Sequence, residues 1–121
     1  MHPQVTHPDP GAEYFFEEGC HILESWNDAS DPQASIARAR VAPGTGTRWH
    51  ALTDVTERYL IVAGSGRVEV GVQPPEEVRA GDVVVIPPGE RQRITNTGRD
   101  DLIFYAICTP RFTPECYRPL E

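Results

Sequence analysis

Glycine and proline interrupt this chain at intervals of roughly eight to twelve residues from Pro43 onward, a rhythm that suits short strands and leaves no room for a long helix. No window places apolar residues at helical spacing. Strands are expected at 14–16, 20–26 and 35–42, then near 48–52, 57–62, 67–72, 76–79, 82–86, 91–95 and 101–108. Gly64-Ser65-Gly66, Pro74-Pro75 and Gly98-Arg99-Asp100 read as hairpin turns between them. Residues 1–13, rich in proline and without apolar periodicity, read as a flexible arm, and 14–121 as a single barrel domain with a C-terminal extension. Three prolines in that extension, Pro110, Pro114 and Pro119, bar it from a central strand. Its Phe112, Tyr117 and Leu120 therefore need cover from the barrel wall or from a second subunit.

Charge narrows the partners. With 11 basic against 18 acidic residues the net charge is −7, which argues against nucleic acid and against an anionic membrane surface. Every cation is an arginine, so lysine chemistry is excluded, while two-pronged recognition of acids stays open. No apolar run approaches the length of a membrane span and no leader pattern stands at the N-terminus, so a cytoplasmic location is the expectation. Cys20, Cys108 and Cys116 form no CxxC pair and read as reduced thiols, with Cys108 acting as a small buried apolar residue.

Two segments carry the chemistry. The first runs Gly44-x5-His50-x-Leu52-x4-Glu57-x6-Gly64, and the second Gly81-x5-Pro87-x-Gly89-x2-Gln92-x3-Asn96. Strand alternation puts His50 and Leu52 on one face, sets Glu57 with Tyr59 and Ile61 on another strand's face, and groups Gln92 with Ile94 and Asn96. Asp54 shares the parity of His50 but falls in the turn between those strands. Arg38 and Arg40 alternate with Ala37, Ala39 and Val41, and the sequence leaves open which face of residues 35–42 looks into the barrel. Either the aliphatic side does and the arginines are solvated or cross a dimer interface, or both guanidiniums project into the pocket; at least one of them is expected outside. Arg91 and Arg93, flanking Gln92, point away from the interior by alternation. Arg48, Gln92 and Tyr105 are the candidate ligand-binding groups, and Glu57 and Tyr59 the candidates for proton transfer.

Together the two segments resemble the paired motifs of the cupin superfamily, which implies an all-β, double-stranded β-helix (jelly-roll) barrel and, among proteins of this size, a homodimer. In the family pattern three histidines and a glutamate surround a metal. Leu52 and Gln92 stand here where two of those histidines belong. What remains of the ligand set is His50, Glu57 and the Gln92 carbonyl oxygen, enough for weak binding of zinc, iron, nickel or manganese. No organic cofactor is implied. The resemblance opens two readings: a metal-dependent dioxygenase, isomerase, decarboxylase or lyase acting on a small polar or carboxylate-bearing metabolite, or a metal-free barrel that binds or senses a small molecule without catalysis.

Overall fold

The computed structural model describes residues 1–121. Eleven strands form, β1 (Tyr14–Phe16), β2 (Cys20–Trp26), β3 (Ser35–Val41), β4 (His50–Leu52), β5 (Thr56–Ala63), β6 (Ser65–Val70), β7 (Glu76–Arg79), β8 (Val83–Ile86), β9 (Gln92–Asn96), β10 (Leu102–Thr109) and β11 (Tyr117–Pro119). Single 3₁₀ turns at Pro10–Ala12 and Pro114–Cys116 are the only helical pieces, and no helix is long and apolar enough to cross a membrane. Two antiparallel sheets face each other, one in the order β1-β2-β3-β10-β5-β8 and the other β11-β4-β9-β6-β7. The result is the expected all-β double-stranded β-helix.

Alternation decides what lies between the sheets. Along β5 the buried positions are Glu57, Tyr59 and Ile61, and along β9 they are Gln92, Ile94 and Asn96. The main core contains 12 buried residues, among them Val41, Tyr59, Ile61, Ile86, Ile94, Leu102 and Phe104. A second, smaller cluster joins Leu52, Val55, Cys108 and Cys116, with Phe112 and Tyr117 packed on it. Phe112 and Tyr117 of the C-terminal extension thus find their cover within this chain, while Leu120 stays 44% exposed. The extension adds β11 to the edge of the second sheet beside β4, where prolines are tolerated.

Two of the three expected hairpins are something else. β5 and β6 belong to different sheets, as do β9 and β10, so Gly64-Ser65-Gly66 and Gly98-Arg99-Asp100 are corners at which the chain changes sheet. Only the Pro74-Pro75 connection joins paired strands, β6 and β7. Gly64 makes its corner at φ 84°, and a Cβ there would lie 2.6 Å from the Asp101 carbonyl oxygen. Asn96 secures the other corner: its amide donates to the carbonyls of Val41 and Asp100 at 2.8 Å each, and its Oδ1 accepts from Gly98 N–H at 2.8 Å.

Both arginines of β3 face outward, which settles the face that the sequence left open. Arg40 reaches Glu13 at 2.7 Å and Asp101 at 3.3 Å, and Arg38 reaches Glu13 at 3.3 Å. The last residue of the N-terminal arm is thereby tied to the barrel, and Thr6 Oγ1 donates to the Ser25 carbonyl at 3.1 Å. Arg91 and Arg93 also point away from the interior, both over the Trp49 ring at 4.3 and 4.4 Å.

Candidate functional site

Between the two clusters lies a polar seam. Gln92 on β9 pairs in register with His50 on β4, and Glu57 on β5 lies opposite Cys108 on β10. Side chains from facing sheets meet there. The Tyr59 hydroxyl donates to Gln92 Oε1, and Gln92 Nε2 donates to Glu57 Oε1 at 2.8 Å. The other carboxyl oxygen of Glu57 has only the Cys108 thiol, at 3.8 Å. An amide can accept from a phenol and donate to a carboxylate at once, which suits glutamine to this position.

His50 is held differently. Its Nδ1 lies 2.7 Å from the Arg48 carbonyl; a carbonyl only accepts, so the proton is on Nδ1 and Nε2 carries the lone pair. Nε2 faces Glu18 Oε2 at 3.6 Å, and Tyr117 stacks on the ring at 5.5 Å between centroids. Burial holds the imidazole below its ordinary pKa, against the opposing pull of the Arg48 carbonyl and of Glu57. It is neutral at pH 7.

Glu18 joins this site although nothing in the sequence singled it out. It sits in the turn between β1 and β2, where Gly19 N–H donates to the Phe16 carbonyl at 2.9 Å. Arg48 N–H then donates to the Glu18 carbonyl at 2.7 Å, docking the turn on the strand that carries His50. Gly19 permits this approach: its φ is 112°, and a Cβ would stand 2.7 Å from the Gly46 carbonyl oxygen. The Cys20 thiol donates weakly to Glu18 Oε2 at 3.6 Å.

Glu18 and Glu57 line a single cavity of about 70 Å³, with the buried side chains of Cys20, Tyr59, Phe104 and Cys108 deep inside and Tyr14, Phe16, Glu24 and Phe112 toward the mouth. His50 and Gln92 do not reach its surface. They stand behind the two carboxyl groups and position them. Burial raises the Glu18 carboxyl to about 7, eased slightly by the Cys20 thiol. Burial raises Glu57 to about 7 as well, helped by the charge of Glu18 and opposed by the Gln92 amide. The Tyr59 phenol is pushed well up by burial and by Glu57, so its proton stays on oxygen, committed to Gln92. Burial also pushes the Cys20 and Cys108 thiols up, which makes them inert as nucleophiles.

Other candidates from the sequence lie elsewhere. Tyr105 alternates with the buried Phe104 and pairs with Arg38 and Leu60, which sets it on the outer face of the first sheet, away from the cavity. The Arg48 side chain is exposed, and the residue serves the site through its backbone. Leu52, in a position the resemblance gives to a metal ligand, is 4% exposed and built into the apolar cluster. Asp54 is in the turn, at φ 60°. No arginine lines the cavity.

Residues 37–108 match the family model described as Cupin domain. No curated protein sequence matches the chain. Among solved structures, a Streptomyces nucleoside dehydratase, also solved as variants with uridine, is 17% identical with a TM-score of 0.79 over 98% of this chain and 92% of its own. The KdgF protein of a Halomonas species is 15% identical, TM-score 0.76, over 88% of this chain and 96% of its own. Bacillus subtilis oxalate decarboxylase, as a two-residue deletion mutant, is 20% identical, TM-score 0.76, over 91% of this chain and 30% of its own. At such identities the likeness speaks for the barrel alone. With the paired motifs seated at the facing sheets and the family match spanning most of the strands, this chain belongs to the cupin-domain family.

Proposed function

We propose that this barrel is an acid–base enzyme of the lyase or isomerase kind, in which Glu18 and Glu57 move protons on a small polar molecule held in the cavity. One observation carries the reading: two carboxyl groups, each poised near pH 7, line the same buried cavity, one backed by the His50 imidazole and the other by the Gln92–Tyr59 chain. Groups titrating near neutrality supply both partners of a proton transfer, one ionised as base and one protonated as acid. In an elimination the ionised carboxylate takes a proton from carbon while the protonated one gives its proton to a departing hydroxyl, which leaves as water. His50 can relay a proton to and from Glu18 through its free Nε2. The presence of a nucleoside dehydratase among the structural neighbours supports loss of water as the reaction type.

The metal reading of His50, Glu57 and Gln92 has less support. Gln92 Oε1, its only donor atom for a metal, already accepts from Tyr59, and Glu57 Oε1 accepts from Gln92. No three His, Cys, Asp or Glu side chains converge as a metal would require. These donors do not fit a transition metal. Nor does the cavity favour a carboxylate-bearing substrate, since no arginine faces it.

The test follows proton exchange from deuterated solvent into a panel of small hydroxylated metabolites, using protein purified without metal resin and treated with chelator. A bell-shaped profile centred near pH 7 is expected, lowered at least a hundredfold by Glu18→Gln and by Glu57→Gln. An activity that appears only with added zinc, iron, nickel or manganese, and survives both glutamine variants, sinks the reading.

Self-association also finds support. Leu60 and Val62 on β5 and Val83 and Val85 on β8 stand exposed on adjacent strands, with Leu60 opposite Val83, so the outer face of the first sheet carries an uncovered apolar strip. Sedimentation equilibrium should show a dimer that Val83→Glu converts to monomer; an unaltered monomer in both removes the idea.

A further inference from the structure

We propose that the cavity takes a ligand bearing a cationic group, an alkylammonium or amidinium, drawn in past Glu24 at the mouth and seated at the Glu57 carboxyl, with its apolar body against the aromatic walls. The inference rests on reading this cavity as the functional site and concerns what the site admits.

Glu18, Glu24 and Glu57 all line the cavity, and neither arginine nor lysine does. The arginines of the neighbouring strand are turned away and occupied by Glu13 and Asp101. Arg111, in the groove adjoining the mouth, donates to Asn27 Oδ1 at 2.8 Å. An anion inside the cavity therefore meets three acids and no arginine, the nearest cation being Arg111 in the adjoining groove. Inside, Glu57 is only 8% exposed, yet its Oε2 has no partner better than a thiol at 3.8 Å, too long and too weak to satisfy a carboxylate. A buried acceptor without a strong donor is completed by a ligand that brings N–H groups and positive charge.

The walls suit the same guest. Tyr14, Phe16, Phe104 and Phe112 surround the passage from mouth to floor, and aromatic faces attract a cation that has shed part of its water. Glu24 is exposed, so it needs no ligand for its own stability. Its place at the mouth acts on selection, drawing cations and repelling anions.

Butylamine, butanol and butyrate share one chain length and differ in charge, and protein-observed NMR titration at pH 8 compares them directly. Butylamine is expected to bind at least tenfold more tightly than butanol, and butyrate to give no saturable shift. Glu24→Gln should lower the preference for butylamine about threefold or more and leave butanol unchanged. Equal affinity for butylamine and butanol, saturable binding of butyrate, or no saturable binding by any of the three overturns the inference. Loss of turnover in the Glu18 and Glu57 variants without any cation preference would remove this inference and leave the proton-transfer reading standing. A cation preference with turnover retained in both variants does the reverse.

Discussion

Glu57→Gln is expected to stabilise the barrel at pH 8 while abolishing turnover. The Glu57 carboxyl has its pKa raised from 4.5 to about 7 by burial, with Glu18 adding to the rise. A carboxyl whose folded pKa lies above its unfolded value favours the folded state fully below pH 4.5, and that contribution is lost as pH rises through 7. Glu18 shifts in the same direction over the same window. Above pH 7 the wild-type fold thus holds two carboxylates against their preference for water. Glutamine keeps the volume and can still accept from Gln92 Nε2 at Oε1, but it carries no charge. A shift from 4.5 to 7, in which the hydrogen bonds from Gln92 and Cys108 are already counted, corresponds to about 3 kcal/mol, and part of that is offset by the imperfect fit of the glutamine amide. The net gain at pH 8 should be about 1–3 kcal/mol, or roughly 3–10 °C in a domain of this size. At pH 5 the folded wild-type carboxyl is already protonated, and the gap between the two proteins should shrink to below about 1 kcal/mol. Thermal melts from pH 5 to 8.5 check this. A variant that is less stable at pH 8, or equally shifted at both ends, means that Glu57 is held as a favourable anion and cannot serve as a neutral-pH acid.

The lesson about legibility divides along the same residues. The barrel was readable because its determinants are local: turn residues at regular spacing, and alternation that correctly sent Glu57, Tyr59 and Gln92 inward and Arg91 and Arg93 outward; on β3, where alanines alternate with arginines, it did not choose a face. Where alternation was absent the reading had nothing to use. The run Ile103–Ile107 is apolar at nearly every position, so which parity faced the interior could not be told, and Tyr105 lies outside while Phe104 lines the cavity. The sheet-changing corners at Gly64 and Gly98 carry the same turn residues as hairpins. Only the pairing of distant strands separates the two cases. Glu18 was hidden for a related reason. Glu17-Glu18-Gly19 has the composition of any solvated turn, and what brings Glu18 to the cavity is the contact of that turn with Arg48 and Gly46, thirty or so residues away in the chain. The signal is long-range, and a single sequence does not hold it in readable form.

Leu52→His with Gln92→His should turn the seam into a zinc site and make the stability of the protein depend on metal. Leu52 and His50 alternate on β4, and Leu52 shares its cluster with Cys108, the neighbour of Glu57. Gln92 is the register partner of His50 and already touches Glu57. Imidazoles at the two positions would join His50 and Glu57 around one point, three nitrogens and a carboxylate. Without metal the double variant has every reason to be unstable. An imidazole in the apolar cluster replaces a well-packed leucine, at about 2–4 kcal/mol. Losing the glutamine amide also leaves the buried Tyr59 hydroxyl and Glu57 Oε1 without their partner, at about 1–3 kcal/mol. Against a total of roughly 5–15 kcal/mol, the melting temperature in chelator should fall far below that of the parent. Zinc binds the folded form and not the unfolded one, so metal at about a hundred times its dissociation constant returns roughly 2.7 kcal/mol, and higher concentrations return more. The parent protein, in which Gln92 Oε1 and Glu57 Oε1 are already engaged and no three His, Cys, Asp or Glu side chains converge, should melt at the same temperature with or without zinc. Thermal melts of both proteins in chelator and in zinc, together with elemental analysis after gel filtration, separate the outcomes. A double variant that zinc does not rescue would mean that positions 52 and 92 do not converge on His50 and Glu57, and the correspondence drawn between these two segments and the family's metal ligands would have to be abandoned.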